Sequence, residues 1–91
     1  MAWVVFYDVR NNANRNRIAK TLVKEGLRVQ KSVFWVEGSK RDIKALIRLL
    51  SKDVDPQTDS VCAWPLARKW RKEQLAAPAE AAPMLEGFVI A

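Results

Sequence analysis

The sequence predicts an α+β fold in which two helices cover one face of a single antiparallel sheet. Short runs of β-branched and aromatic residues alternate with helical patterns in the order strand, helix, strand, strand, helix, strand, and a last apolar segment follows at the C-terminus. Each helical segment carries one apolar stripe, which is typical of a helix that packs on one sheet face. This order predicts a ferredoxin-like βαββαβ sandwich with an extra C-terminal strand.

The first strand is predicted for residues 2–8, which are apolar up to the last position. A helix from about 13 to 25 follows, and Asn11 and Asn12 are suitable residues to cap its start. Gly26 is a suitable residue to end it. The buried stripe of this helix is predicted to consist of Ile18, Ala19, Leu22 and Val23.

The second half of the sandwich repeats the pattern. Residues 27–37 predict two short strands that meet near Lys31. Ser39 and Asp42 have the spacing of a capping box and predict the start of a second helix, and residues 60–64 predict a fourth strand. The buried stripe of the second helix is predicted to be Ile43, Leu46, Ile47 and Leu50.

We divide the chain into a ferredoxin-like domain, residues 1–75, and a C-terminal segment, residues 76–91. The domain is expected to end in a short helical turn at 68–75. The C-terminal segment begins with an Ala/Pro-rich linker and ends in an apolar strand at 87–90. We expect this strand to be swapped between two protomers.

The composition excludes several kinds of catalytic site. Histidine is absent, which removes His-dependent nucleophilic sites and His metal clusters. Cys62 is the single cysteine, so no internal disulfide or cysteine-based zinc site can form, and we interpret it as a small core residue. No apolar run approaches the ~18 residues of a membrane span. We therefore expect a cytoplasmic protein with no membrane partner.

The positive charge is concentrated in the N-terminal half of the chain. Residues 1–50 carry 11 Lys and Arg against 4 Asp and Glu, whereas residues 51–91 carry 5 against 6. A generally solubilising surface would not need this asymmetry. It favours a surface that binds nucleic acid.

The first strand also predicts a homodimer. Trp3, Val5 and Tyr7 are apolar on one of its faces, and Val4 and Phe6 are apolar on the other. Because the helices can cover only one face, we expect the other to meet a second subunit. A swapped C-terminal strand would also cover an exposed sheet edge.

Asp8 is the candidate catalytic carboxylate and metal ligand. It ends the first strand where a loop and a basic helix begin, and one acid among several arginines suits phosphate chemistry with Mg²⁺ (or Mn²⁺). One carboxylate holds such an ion weakly, so a two-fold dimer that brings both copies of Asp8 together would complete the site. The alternative is that Asp8 only caps the helix or turns the chain.

Four basic residues are candidate nucleic-acid contacts. Arg15 and Arg17 lie near the start of the first helix, where positive charge opposes the helix dipole and favours an anionic partner. Arg28 and Lys31 lie close to aromatic residues in the sequence, a pattern that suits binding of a nucleic-acid strand. The alternative for these residues is a solvated surface, which is how we interpret the basic stripe of the second helix, Lys40, Lys44 and Arg48.

Three motifs resemble those of a known family. They are V-V-F-Y-D-V, which contains Asp8, the pair Arg15 and Arg17 seven residues later, and G-L-R-V-Q-K-S-V-F at 26–34. Over residues 2–37 the chain resembles the small CRISPR-associated adaptation proteins of the Cas2 family. The resemblance implies a ferredoxin-like homodimer with swapped C-terminal strands, which bridges integrase (Cas1) subunits and holds duplex DNA during spacer acquisition. Some relatives are described as Mg²⁺-dependent endonucleases acting on RNA or double-stranded DNA.

Carried over residue by residue, the resemblance implies that Asp8 is the metal ligand and Tyr7 its neighbour in a catalytic site. Two other functions stay open: a dedicated endoribonuclease related to the VapD-type toxins, and a non-catalytic ferredoxin-like binding module. The R-V-Q-K-S-V-F string favours the adaptation protein over the toxin, and the charge asymmetry argues against the binding module. The motif residues that match the family are Tyr7, Asp8, Arg15, Arg17, Arg28, Ser32 and Phe34.

Overall fold

The computed structural model describes residues 1–66 and the backbone of the strand at 89–90. The predicted order of elements is confirmed in this part of the chain, and the predicted helical turn at 68–75 and the linker lie outside it. The elements are β1 (Ala2–Asp8), α1 (Asn12–Glu25), β2 (Gly26–Gln30), β3 (Val33–Glu37), α2 (Lys40–Leu50), a 3₁₀ turn (Ser51–Asp53), β4 (Ser60–Pro65) and β5 (Val89–Ile90).

The strands form one antiparallel sheet in the order β2-β3-β1-β4-β5. The first four strands have the ferredoxin-like arrangement that the sequence predicts. β5 lies beside β4 of the same chain, with Ile90 opposite Cys62. Exchange of this strand between protomers stays a prediction, because a partner's strand would occupy the same edge.

The main core lies between the sheet and the two helices. β1 contributes Trp3, Val5 and Tyr7 to it, as the alternation of its side chains predicts. Phe34 from β3 is fully buried there, beside Ile18 and Leu22 of α1. The prediction that Phe34 is a core residue is confirmed.

One position of the predicted α1 stripe is wrong. Val23 is 58% exposed, whereas Ile18 and Leu22 are buried and Ala19 is only partly buried. The helix packs on β2 and β3 at one edge of the sheet. β2 is the edge strand, and Val23 lines a surface groove together with Arg28 of β2 instead of packing in the core.

The start of α2 is fixed by the predicted capping box. The Ser39 hydroxyl accepts the backbone N–H of Asp42 at 3.1 Å, and the Asp42 carboxylate accepts the backbone N–H of Ser39 at 3.0 Å. The hydrogen bond from the Ser39 backbone is the main reason that the pKa of Asp42 lies below its usual value. All four residues of the predicted stripe are buried. No helix among the described residues is long and apolar enough to span a membrane.

The other face of the sheet carries a second apolar cluster. Val4, Trp35 and Leu66 are buried in it, and Ala2, Val29, Val33 and Trp64 pack around them. Phe6 meets Trp64 edge to face, with ring centroids 6.0 Å apart. Both helices of the described chain lie on the opposite face. The buried indole N–H of Trp35 has no hydrogen-bond partner in the described structure.

Candidate functional site

A cleft of about 420 Å³ opens where β1 ends. Its walls are the loop after β1, the first turns of α1 and the turn between β2 and β3. Most of its lining is polar or charged. The lining residues are Tyr7, Asp8, Val9, Arg15, Asn16, Ala19, Arg28, Lys31 and Ser32.

Asp8 is the one carboxylate among these described lining residues. It is the last residue of β1, and its side chain is exposed, in contrast to the buried residues on either side of it. Val9 is only 2% exposed and anchors the following loop in the core. A buried strand and a buried neighbour therefore hold an exposed carboxylate at the mouth of the cleft.

Arg28 is positioned by the pairing of β2 with β3. It lies opposite Phe34, and residues paired directly across two strands project on the same face. Its guanidinium carbon lies 5.4 Å from the centroid of the Phe34 ring, and its Nε donates to the carbonyl oxygen of Lys31 at 2.9 Å. The strand register shifts between Arg28 and Gln30, as at a β-bulge.

Arg15 lines the cleft and also holds the loop that follows Asp8. One terminal nitrogen donates to the carbonyl oxygen of Val9 at 3.1 Å, and the other donates to the side-chain oxygen of Asn12. The side chain is half-buried. Arg15 therefore adds charge to the cleft and stabilises the backbone next to Asp8.

Tyr7 lies in the wall of the cleft and is only 4% exposed. Its ring stacks on Phe34 with centroids 6.3 Å apart, and its backbone N–H donates to the Ser32 carbonyl oxygen at 3.2 Å. These contacts tie β1 to the turn that carries Lys31. A catalytic role for Tyr7 stays a prediction.

Arg17 is not brought into the cleft. Its Nε lies 3.1 Å from the Asp53 carboxylate, and a terminal nitrogen donates to the side chain of Asn14. The Arg17 side chain is 57% exposed. The four predicted nucleic-acid contacts are thus divided: Arg15, Arg28 and Lys31 share a cleft with Asp8, and Arg17 lies apart from them.

Asp59 supports the site and was not singled out in the sequence. Its carboxylate accepts the backbone N–H groups of Asp55 at 2.9 Å and Arg10 at 3.1 Å, which joins the loop before β4 to the loop after β1. These two hydrogen bonds, first the one from Asp55, lower the pKa of Asp59. Asp59 and Arg10 are 49 positions apart in the sequence, so no local motif predicted their contact.

The donor set of one chain does not by itself fit a divalent cation. Asp8 is a single carboxylate, and residues 1–66 contain no cluster of three or more His, Cys, Asp or Glu side chains that could hold a metal. Mg²⁺ takes six oxygen ligands in near-octahedral geometry. Further ligands would have to come from outside this part of the chain.

The fold and the cleft define a small α+β protein that presents one carboxylate and three cations at the end of its first strand. The sequence model of the family described as CRISPR associated protein Cas2 matches residues 1–74, and the chain belongs to this family. The resemblance found in the motifs is confirmed.

Curated relatives share about a third of their residues with this chain. It is 36% identical over 72 residues to CRISPR-associated endoribonuclease Cas2 2 of Synechocystis, which covers 78% of this chain and 77% of the relative. It is 35% identical over 77 residues to CRISPR-associated endoribonuclease Cas2 3 of Chloroflexus aurantiacus, which covers 85% of this chain and 76% of the relative.

Solved structures share the fold. The crystal structure of Streptococcus pyogenes Cas2 matches with a TM-score of 0.71 and 28% identity, covering 80% of this chain and 94% of the other. A hypothetical protein from Thermus thermophilus matches with a TM-score of 0.72 and 26% identity, covering 93% and 96% of the two chains.

Proposed function

We propose that this protein is a homodimeric nucleic-acid-binding subunit of CRISPR adaptation, whose cleft binds and hydrolyses phosphodiesters of RNA or duplex DNA. The observation that carries this proposal is the placement of the exposed Asp8 with Arg15, Arg28 and Lys31 around one cleft. Two curated relatives bear the name endoribonuclease, which favours RNA as a substrate.

The cations and the carboxylate have different tasks. Arg28 and Lys31 neutralise the non-bridging oxygens of the phosphodiester, where negative charge develops during hydrolysis. Arg28 is prepared for this because the Phe34 ring and the Lys31 carbonyl oxygen fix its orientation before a substrate arrives. Asp8 lies where a carboxylate can accept a hydrogen bond from the attacking hydroxyl or water and orient it.

We propose metal-dependent hydrolysis only for the dimer and not for the single chain. Two copies of Asp8 near a two-fold axis would give a Mg²⁺ or Mn²⁺ ion two carboxylate ligands, and substrate and water would complete its shell. Such an ion would supply Lewis-acid stabilisation of the phosphoryl oxygens.

The dimer is supported by the sheet face that carries neither of the two described helices. Val4 and Trp35 lie in an apolar cluster there, and in the described chain neither helix covers it. The partly exposed apolar side chains on this face, Phe6, Val29 and Trp64, are the ones that a second subunit would cover. We place this dimer in the cytoplasm, with the basic N-terminal half on duplex DNA and bridging integrase subunits, as the family resemblance implies.

The substitution Asp8→Asn tests cleavage and scaffolding together. It removes the charge of the carboxylate and keeps its size, so we expect loss of Mg²⁺-stimulated cleavage of labelled RNA and duplex DNA. Dimer mass and duplex affinity should stay nearly unchanged. Spacer integration with the cognate integrase should persist if scaffolding is the primary role.

Glu37→Gln is the matched control, because Glu37 is an exposed carboxylate at the end of β3 that pairs with Ala2, at the opposite end of β1. It should cleave like the wild type. Cleavage by rigorously purified Asp8→Asn protein at the wild-type rate would show that hydrolysis does not take place at this cleft.

A further inference from the structure

A second groove continues from the cleft along the exposed side of α1. It has a volume of about 750 Å³ and shares Asn16, Ala19 and Arg28 with the cleft. The helical positions on this side run from Asn16 to Lys24, about 12 Å along the helix axis. Its lining residues are Asn16, Ala19, Lys20, Val23, Lys24 and Arg28.

The groove combines apolar and basic lining residues. Ala19 and Val23 are its apolar lining residues, and Val23 is 58% exposed although it is a large aliphatic residue. Lys20 and Lys24 lie one helical turn apart and repel each other. Among the described residues, Arg17 and Asp53 form an ion pair, and neither Lys20 nor Lys24 is paired with a described carboxylate.

We propose that this groove carries a single strand of RNA that continues from the phosphodiester bound in the cleft. The proposal rests on the proposed function, since the cleft supplies the starting point of the strand. Phosphates lie against Lys20, Lys24 and Arg28, and the exposed Val23 offers an apolar contact to the face of one unstacked base. Such a contact suits a single strand, because a duplex keeps its base faces inside the helix.

Binding measurements on the Asp8→Asn background test this without cleavage. The probes are a dinucleotide that fills the cleft alone, a longer unstructured RNA and a blunt duplex of the same sequence. Lys20→Ala with Lys24→Ala should weaken binding of the longer RNA on the order of tenfold and leave the dinucleotide unchanged. Val23→Ser should weaken the longer RNA and leave the duplex unchanged.

Lys40→Ala with Lys44→Ala is the matched control, because these lysines are also exposed and one turn apart, but on α2. This control should bind the longer RNA like the parent protein. Equal losses in the control and the groove variant would overturn the proposal, as would equal losses for RNA and duplex in Val23→Ser. An acidic peptide serves as a further probe. If the groove variants lose affinity for this peptide but still bind RNA like the parent protein, the groove binds a protein partner and the proposal is overturned.

Failure of the proposed function gives a different result. If the cleft does not bind phosphodiesters, the dinucleotide does not bind to the parent protein, and Arg28→Ala does not change the affinity for any probe. If only the groove is assigned wrongly, the dinucleotide still binds and responds to Arg28→Ala.

Discussion

Arg28 and Arg17 are both exposed arginines, but their surroundings differ. Arg28 lies over Phe34 at the cleft, on the strand next to α1. Arg17 lies on α1 itself and pairs with the carboxylate of Asp53. A guanidinium that already faces a carboxylate gains less from a phosphate, because it must give up or share its existing partner. Substitutions at the two residues therefore distinguish the effect of charge in the cleft from the effect of charge elsewhere on the surface.

We predict that Arg28→Ala weakens nucleic-acid binding across all sequences and lowers the slope of log affinity against log salt by about one, as expected for one lost phosphate contact. Arg17→Ala removes the same formal charge outside the cleft and should change the slope much less. The measurement is a salt titration of RNA and duplex binding with both variants. Equal slopes for the two variants would mean that the cleft is not the place of phosphate contact.

Position in the sequence was sufficient to place Asp8 at the surface, because a charged residue at the end of an apolar strand must leave the core. It could not show which arginines would line the same cleft as Asp8. Arg17 and Asp53 are 36 positions apart, and their pairing depends on how α1 packs near the end of α2. Asp59 was missed for the same reason, since its role depends on its contact with Arg10.

Element boundaries were easier to predict than the burial of individual positions. The capping box at Ser39 and the helix end at Gly26 are local signals, and both are confirmed. The burial of Val23 depends on how α1 packs on the strands of the sheet, which the sequence does not state. Because α1 covers the edge of the sheet, an apolar position beside the true stripe stays exposed, and it lines a groove.

Gly26 joins α1 directly to β2, and we predict that the junction does not tolerate a side chain. Its backbone is extended, with a φ of −162°, so conformation alone does not require glycine. An added Cβ, however, would overlap the carbonyl oxygen of Trp35 and lie 2.9 Å from Val36 Cγ2. Gly26→Ala should therefore lower the free energy of unfolding by about 1–3 kcal/mol, the usual cost of overpacking.

Urea denaturation is the measurement, and Gly38→Ala is the matched control. A Cβ at Gly38 would meet Asp42 Cβ at 3.2 Å, a tight contact with a side chain rather than a clash with backbone. The loss of stability should therefore be smaller. Equal losses in the two variants would show that the junction can adjust.

For the whole molecule, the main question is how the second sheet face and the β4 edge are covered. The described chain has its helices on one face, and β5 borders β4. In a swapped dimer each protomer receives the same element from its partner, so the pairing of β5 with β4 keeps its register. The fold of one chain is therefore compatible with exchange, and the two arrangements differ in which chain supplies the strand.

The native cysteine can decide between these arrangements. Cys62 is the single cysteine of the chain, and it lies directly opposite Ile90. Cα atoms of directly opposed antiparallel residues are about 4.5–5.5 Å apart, within the range of a disulfide. We predict that oxidised Ile90→Cys protein runs as a covalent dimer on a non-reducing denaturing gel, because the partner supplies the strand. Joining two thiols in a disulfide is a two-electron oxidation, so an oxidant is added. Burial raises the pKa of the Cys62 thiol, which lowers its thiolate fraction and slows the reaction.

Val89→Cys is the control, because Val89 lies opposite Ala63 and successive strand residues project to opposite faces. It should give far less cross-linked product under the same conditions. A cross-linked Ile90→Cys protein that keeps the mass of one chain would contradict strand exchange, since Cys62 would then have met the strand of its own chain. In that case the dimer would have to rest on the partly exposed apolar side chains of the second sheet face, Phe6 and Trp64, alone.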